Sequence, residues 1–439
     1  MNISLAHSFI HSLLTYLFFS LTNLSILLNR KGEMMLRKLF NPNRIFVLLM
    51  LFLCIGLFFM PTGFEKSEEG SVRAQGLIRQ VDDSLVQQRG LVKTGSQSLK
   101  VEILNGQFKG QEVDATNLLL GRMEFDKLFK VGDKALVVVE FNGQNLTYVN
   151  VIDHYRVNTE LLLFSIFVLL LLILGGWTGA KAVLSFLFTI LMIWKVLLPS
   201  FLKGYDPILV SLVIVTIITG VTCFLVANLS RKGLVAFLGS FSGILLTCII
   251  AIFFGGAFRI HGAIAPFSET LLYSGYPNLD ITQIFLAGIF LASSGAIMDV
   301  AMDISASISE VVEKKPDISM QEAVLSGFSV ARTVVGTMTT TLLLAYSGGY
   351  ISLLMVFIAQ GTPPMNIFNL TYVAGEILHT LVGSFGLIMV APFTALVGGF
   401  LFTRPAYIHT VLTQVREIST EIQQTANASN KNVNIASED

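Results

Sequence analysis

Two carboxylates, Asp299 and Asp303, stand four residues apart inside a strongly apolar stretch. On a helix of 3.6 residues per turn this spacing puts both on one face. The face runs from Gly295 through Asp299, Asp303 and Ser307 to Glu310. An Asp at the centre of a bilayer costs about 2.5–3.5 kcal/mol on insertion scales, so such a pair belongs in a bundle interior or along a water path. The chemistry open to it is proton binding and release, or metal coordination through oxygen. The alternative ends the helix by Asp299 and leaves both carboxylates solvated at the cytoplasmic rim.

The next helical stretch carries a matching stripe. Thr333, Gly336, Thr337, Thr340 and Thr341 recur at helical spacing, a hydroxyl-rich face beside a glycine. Threonine hydroxyls also bond to carbonyls one turn back and need no other partner, so a merely packed helix is the competing account. Arg332, at the start of this stripe, is placed to pair with Asp303 or Glu310. The last long apolar segment adds Glu376 and His379, with Thr380 and Gly383 continuing their face. Glu-x-x-His is a pattern used in carboxylate-bridged metal bundles. If Glu376 and His379 meet Asp299 and Asp303 in space, they make an oxygen-rich site for Mn²⁺, Fe²⁺ or Zn²⁺. Otherwise no cofactor is expected. Gly295, Gly336 and Gly383 are the expected points of close helix packing, and the small-residue run from Ala292 to Ala296 favours such an approach.

Several chemistries are excluded. Neither Gly-x-Ser-x-Gly nor His-Glu-x-x-His occurs, and there is no Gly-x-x-x-x-Gly-Lys-Ser/Thr loop for a nucleotide triphosphate. The two aspartates share one helix and no other span carries an interior Asp, which argues against an intramembrane aspartyl protease. The protein is not expected to be an enzyme. Cys54, Cys223 and Cys248 all lie in apolar runs, an odd set that forms no disulfide framework. With 29 basic and 29 acidic residues the net charge is +0, so nucleic acid is not an expected partner.

The elements that must hold these residues follow from composition. The chain has 439 residues, 53% hydrophobic and only 13% charged, with a mean hydropathy of +0.71; soluble domains carry about 25% charged residues. The apolar excess is gathered into runs near the roughly 20 residues that cross a bilayer core as a helix. The expected fold is an α-helical polytopic membrane protein with about nine membrane segments, plus a small extracytoplasmic β-rich domain, OB-like or a β-barrel, after the first span. A basic stretch (Arg37, Lys38, Arg44) precedes the first span, within residues 35–61 and apolar over Ile45–Met60, which places residues 62–160 outside. Alternating segments such as Ser98–Leu104 and Lys134–Phe141 read as strands, with Asn105-Gly106 and Asn142-Gly143 as hairpin turns. His154 stands alone there, a packing residue rather than a ligand.

Residues 161–402 form the multi-span domain: Leu161–Gly176, Ala182–Leu198, Pro207–Ala227, Leu234–Ala257, Ile281–Ile304, Thr333–Gly348, Tyr350–Leu370 and Ile377–Phe402. Lys181, Arg231, Lys232, Lys314 and Lys315 fall in the loops predicted inside, against Lys203 and Arg259 outside, in keeping with the positive-inside rule. Pro363-Pro364 must kink any helix carried through the seventh of these segments. If that segment is re-entrant the C-terminus is cytoplasmic; if it spans, the tail lies outside. Ser319-Met320-Gln321-Glu322 makes a capping box, opening an amphipathic helix, Met320–Phe328, expected on the membrane face. In the outer loop, Arg259 and His261 precede Gly262 and Pro266, and a solvated turn is expected over a substrate gate. Residues 403–439 are a polar tail, helical at first over Val411–Ile422. Residues 1–34 are a separate segment: Lys31-Gly32-Glu33 before Met34-Met35 reads as a translated ribosome-binding site, so synthesis is expected to begin at Met34 or Met35, the alternative being an extra span or signal peptide.

The run Gly295-Ala296-Ile297-Met298-Asp299-Val300-Ala301-Met302-Asp303-Ile304 resembles the YibE/F family of bacterial multi-pass membrane proteins. Gly336 to Tyr346 is similar to a second landmark of that family, and Glu376-Ile377-Leu378 with Gly383-Ser384-Phe385-Gly386-Leu387 to a third. The resemblance covers roughly residues 45–402 and implies a shared membrane fold in the bacterial plasma membrane, with little chemistry. A fainter likeness, by analogy, is to SecD/SecF-type export subunits and other resistance-nodulation-division permeases. It implies that Asp299 or Asp303 carries protons, with Gly295, Glu310, Arg332 and Thr337–Thr341 filling the neighbouring places; the extra spans before the carboxylate helix depart from that layout.

The leading expectation is therefore a proton-coupled permease for a small solute or ion, embedded in the lipid bilayer, with Asp299, Asp303, Glu310, Arg332, Thr337, Thr340, Thr341 and Glu376 lining the path. A divalent-metal transporter using Asp299, Asp303, Glu376 and His379 is the alternative. A third is an accessory or assembly protein acting through a protein partner of its external domain. A homo-oligomer is compatible with each.

Overall fold

The computed structural model describes residues 41–64, 70–143 and 145–435, with side chains as far as Thr403. The expected segment 1–34, the start at Met34 or Met35, Arg37 and Lys38, and the side chains of the tail lie outside the described residues. The chain divides into two compact units, Phe64–Gly176 and the remainder.

The first unit contains a closed five-stranded barrel of β1 (Ser71–Arg89), β2 (Val92–Ile103), β3 (Glu112–Leu120), β4 (Lys134–Asn142) and β5 (Asn145–His154). The strand order is β1-β2-β3-β5-β4, closed by β1·β4 pairing, with one parallel contact, Thr116 beside Asn150. This is the barrel that the alternation of apolar and polar residues predicts. Inward positions Ile78, Leu99, Val101, Val137, Val139 and Val149 are almost wholly buried. Polar Gln97 and Asn117 are buried too. The Asn117 amide donates to Gln97 Oε1 at 2.8 Å and to the Lys127 carbonyl at 2.6 Å, and Gln97 Oε1 accepts the Phe129 N–H at 3.1 Å. These bonds fasten the Lys127–Phe129 segment to the barrel. His154 packs against Phe129, with centroids 4.6 Å apart, as a packing residue. Two turn expectations need correction. Asn105-Gly106 lies in a longer β2–β3 connection, where Asn105 Oδ1 accepts the Gln75 N–H at 2.8 Å. In the β4–β5 hairpin Asn142 pairs with Asn145, so Gly143, at φ +65°, is the first turn residue.

The helices are α1 (Pro42–Phe59), α2 (Val157–Met192, continued by a π turn at Ile193–Leu197), α3 (Leu198–Leu202), α4 (Pro207–Val226) and α5 (Arg231–Ala257). After them come α6 (Ser268–Tyr273), α7 (Ile281–Lys314), α8 (Met320–Ser347), α9 (Ile351–Ala359), α10 (Pro364–Asn369) and α11 (Thr371–Ile435). Among the described residues seven helices are long and apolar enough to cross a membrane. One of these is the 46-residue run Val157–Leu202. It is broken at Gly176, whose φ of 51° and ψ of −125° suit only glycine.

Glycines set the registers of the helical core. Gly239 and Gly243 of α5 abut Thr394 and Val390 of α11, and Gly386 of α11 abuts Thr247 of α5, so the two helices are antiparallel. Gly383, Gly386 and Gly398 of α11 meet Ser293, Ile297 and Ile308 of α7, which therefore runs parallel to it. Gly327 of α8 meets Ala395, and Gly399 of α11 meets Val324, making α8 antiparallel to α11. A Cβ at Gly386 would run into the Thr247 side chain. Small residues are how membrane helices approach closely, because burying apolar surface gains little between lipid-like neighbours.

Two expectations are corrected here. The Ser319–Glu322 capping box is present, but it opens one continuous helix, α8, rather than a separate interfacial one. Ala323 and Gly327 are buried against the bundle instead of lying on the membrane face. The backbone of the tail remains helical to Ile435, beyond Ile422.

The registers also decide the fate of the segment containing Pro363-Pro364. The end of α8 and the start of α11 share one end of the bundle: Tyr346 lies against Gly383, and Gly375 against Ile264 of the α5–α7 connection. Residues Ile351–Asn369 therefore leave and return at that end, as two short helices, α9 and α10, and make no net crossing. The α11 helix then runs to the end where α7 finishes at Lys314.

Candidate functional site

The α7 helix continues unbroken to Lys314, which removes the alternative in which it has ended by Asp299. Its depth follows from α5. Gly243 touches Ile297 and Gly255 touches Leu286, so Asp299 is level with about Phe241, roughly 15 Å along the helix from Arg231. Asp303 lies one turn nearer that end. Both carboxylates lie on a helix that is long and apolar enough to cross a membrane.

They point away from the core. Ile297, Val300, Ala301, Ile304 and Ile308 form the buried face of α7, whereas Gly295, Asp299, Asp303 and Glu310 are all exposed. On α8, Thr333, Gly336, Thr337, Thr340 and Thr341 are exposed as well. Gly327 meets Ile308, and Gly383 touches both Ser293 and Tyr346. Counting along the two helices from these contacts places Asp299 near the level of Thr337 and Asp303 near that of Thr333, to within about one turn. Two neighbouring antiparallel helices thus expose a carboxylate stripe and a hydroxyl stripe at matched depths. Two of the hydroxyls are internally served: Thr337 Oγ1 donates to the Val334 carbonyl at 3.0 Å, and Thr341 Oγ1 to that of Thr337 at 3.1 Å. Their oxygens keep lone pairs facing outward.

Arg332 is exposed and makes no ion pair among the described residues. Its expected pairing is corrected: Glu310 is held instead by Lys314 at 2.7 Å, one turn along the same helix. Gly295 and Gly336 are corrected as packing points, because a Cβ on either would meet nothing within 4 Å. Gly383 does pack, with Ser293 Cβ 3.2 Å from where its own Cβ would stand.

Glu376 and His379 lie elsewhere. By the α7–α11 offset His379 is level with Ile289, ten residues and about 15 Å from Asp299. The expected four-residue metal set is therefore not brought together, and no group of three or more His, Cys, Asp and Glu among the described residues could hold a metal ion. The company these two keep is aromatic. Tyr346 stacks on His379 with centroids 4.4 Å apart and planes at 29°. The Tyr350 hydroxyl lies beside the Glu376 carboxylate. Tyr346 Oη and His379 Nε2 are buried without a hydrogen-bond partner, an arrangement that a bound water or ligand would relieve. Sequence reasoning passed over both tyrosines. The signal was their spacing of four residues at the end of the threonine helix, which puts them on one face.

The site thus consists of two polar stations at different depths: carboxylates beside hydroxyls on α7 and α8, and a carboxylate–imidazole–phenol cluster where α8 and α11 meet nearer the opposite end. Both consist of groups able to bind and release protons. Residues 163–404 match the family model described as YibE/F-like protein, and residues 83–154 match that of the YibE/F family N-terminal domain. No curated protein and no solved structure gives a significant match.

Proposed function

This chain belongs to the YibE/F family, and from that premise we propose that it is a proton-coupled secondary transporter of the bacterial plasma membrane. One observation carries the reading: Asp299 and Asp303 lie on an exposed face of a helix long and apolar enough to cross a membrane, level with Thr337 and Thr333. A carboxylate held there against lipid is costly, so the stripe pair belongs to a water-filled path. In the cycle each carboxylate is neutral when cut off from water and ionised when open to it. The Glu376–His379–Tyr346 cluster serves as the second proton station, nearer the end where α7 begins. Ser293 of α7 stands beside it.

The topology that goes with this proposal has eight crossings, counting the two halves of Val157–Leu202 separately. Both ends of the membrane domain then lie in the cytoplasm, the barrel lies outside, and Ile351–Asn369 forms a re-entrant segment. The lysines of the α7–α8 loop fall on the cytoplasmic side, as the positive-inside rule requires.

The test is a deletion strain complemented with wild type, Asp299→Asn or Asp303→Asn, with folded protein measured alongside and cellular elements assayed to identify an inorganic cargo. The reading expects both variants to be folded and inactive. Full activity of either, or inactivity traced wholly to lost protein, contradicts it.

A second reading, an accessory protein acting through its barrel, is favoured by one surface. Leu85 and Leu118, each 63% exposed, flank Ser96 on adjacent strands, with Leu120 at 65% beyond. Under that reading the barrel is indispensable and the aspartates are replaceable.

A further inference from the structure

Lys181 is 96% buried, since its relative exposure is 4%. Its ammonium donates to Asn228 Oδ1 at 2.9 Å and forms no ion pair among the described residues. A lysine has three N–H donors and a full charge to compensate, and one neutral amide does not supply that. Burying an unpaired charge is costly, so such a group ordinarily has a counter-charge.

The chain segments that meet at this turn carry only cationic and neutral side chains. Asn228 holds a left-handed conformation, φ 61°, in the turn between α4 and α5. Three residues on, Arg231 opens α5, a 27-residue helix whose cap, Ser230 Oγ, accepts the Gly233 N–H at 3.2 Å. The Leu229 N–H donates to Asn43 Oδ1 at 2.8 Å, which ties the first turn of α1, and with it Arg44, to the same turn. No acidic residue occurs in 41–44, 177–185 or 222–233. Glu310 of the neighbouring α7 is held by Lys314 and faces Lys232. Lys232 therefore stands outside the site. Ser305 of α7 donates to the Lys232 carbonyl at 2.8 Å, which fixes this turn at the end of the bundle where α7 finishes.

We propose that Lys181, Arg44, Arg231 and the N-terminus of α5 form a binding site for the phosphate headgroup of an anionic phospholipid. Each part supplies what a phosphodiester requires: a buried cation beneath it, two exposed guanidiniums for bidentate contact, and free N–H groups at the positive end of a long helix. A basic pocket between transmembrane helices at the interface is the recognised setting for such a headgroup. The bound lipid would staple α1 to α2 and α5. The inference is independent of the transport reading.

The test uses the purified full chain in nanodiscs of phosphatidylcholine, with or without phosphatidylglycerol, read by thermal unfolding and by native mass spectrometry of retained lipid. Wild type should unfold at higher temperature with phosphatidylglycerol and retain it, and Lys181→Arg should keep much of that response. Lys181→Met should lose it, as should Arg44→Gln combined with Arg231→Gln, both at exposed positions. If Lys181→Met does not fold, the double arginine variant decides. An equal rise in the variants overturns the site. An equal rise with inorganic phosphate in phosphatidylcholine alone overturns the lipid assignment in favour of a free anion.

Discussion

The ring of Tyr346 lies on that of His379, 4.4 Å between centroids, while Tyr346 Oη and His379 Nε2 both lack hydrogen-bond partners. Two orphaned polar atoms stacked together, beside a carboxylate, carry a cost that apolar residues of similar shape would avoid. Tyr346→Phe is therefore expected to leave stability unchanged or raised by up to about 1 kcal/mol, while lowering activity severalfold. Thermal unfolding and complementation of a deletion strain check the two halves; a strongly destabilised variant would show that the hydroxyl is structurally engaged.

The glycine registers give a sharper stability test. Gly386→Ala drives a methyl group into Thr247 and should cost about 1–3 kcal/mol, as overpacking does. Thr247→Ala in the same chain should recover much of the loss. Gly295→Ala, on the open face of α7, should cost almost nothing. Thermal unfolding of the purified variants, treated as a double-mutant cycle, reads all three.

In the barrel, Gln97 joins Asp83, Asn117 and Phe129 through both ends of its amide. Gln97→Leu strands the Phe129 N–H and one Asn117 donor and should destabilise the barrel by about 1–3 kcal/mol per buried group left unpaired. Hydrogen exchange in the full chain should show faster exchange at Phe129 and in β3, with the helices unaffected.

Much of this was legible in the sequence. Apolar blocks and basic loops marked the spans, alternation marked the barrel, and Ser319 with Glu322 marked the start of α8. Harder to read was where each helix ended and what it faced. Met320–Phe328 carries an amphipathic pattern that suits a membrane surface as well as a bundle groove, and only the approach of α11 at Gly399 and Ala395 distinguishes them. Glycine identity does not say which neighbour comes near: Gly295 and Gly336 are open, whereas Gly239, Gly243 and Gly386 are the close contacts. Likewise, Glu-x-x-His fixed two residues on one helix face but not their depth relative to Asp299, which depends on the register between α7 and α11.

The return of Ile351–Asn369 to the end it left is checked by cysteine labelling in intact cells, in a chain lacking Cys54, Cys223 and Cys248. His261→Cys and Thr362→Cys should react with an impermeant reagent from outside. Lys315→Cys should react only after permeabilisation, and so should a cysteine appended after Asp439. Labelling of the appended cysteine from outside would mean that the segment crosses.

The central claim is that Asp299 carries protons in a transport cycle. Its most direct test is a pH-sensitive dye inside proteoliposomes holding the full chain and a preset pH gradient, to which inorganic and organic ions are added in turn. The account predicts that at least one solute makes wild type discharge the gradient, while equally folded Asp299→Asn stays silent. Discharge by Asp299→Asn at the wild-type rate would contradict it.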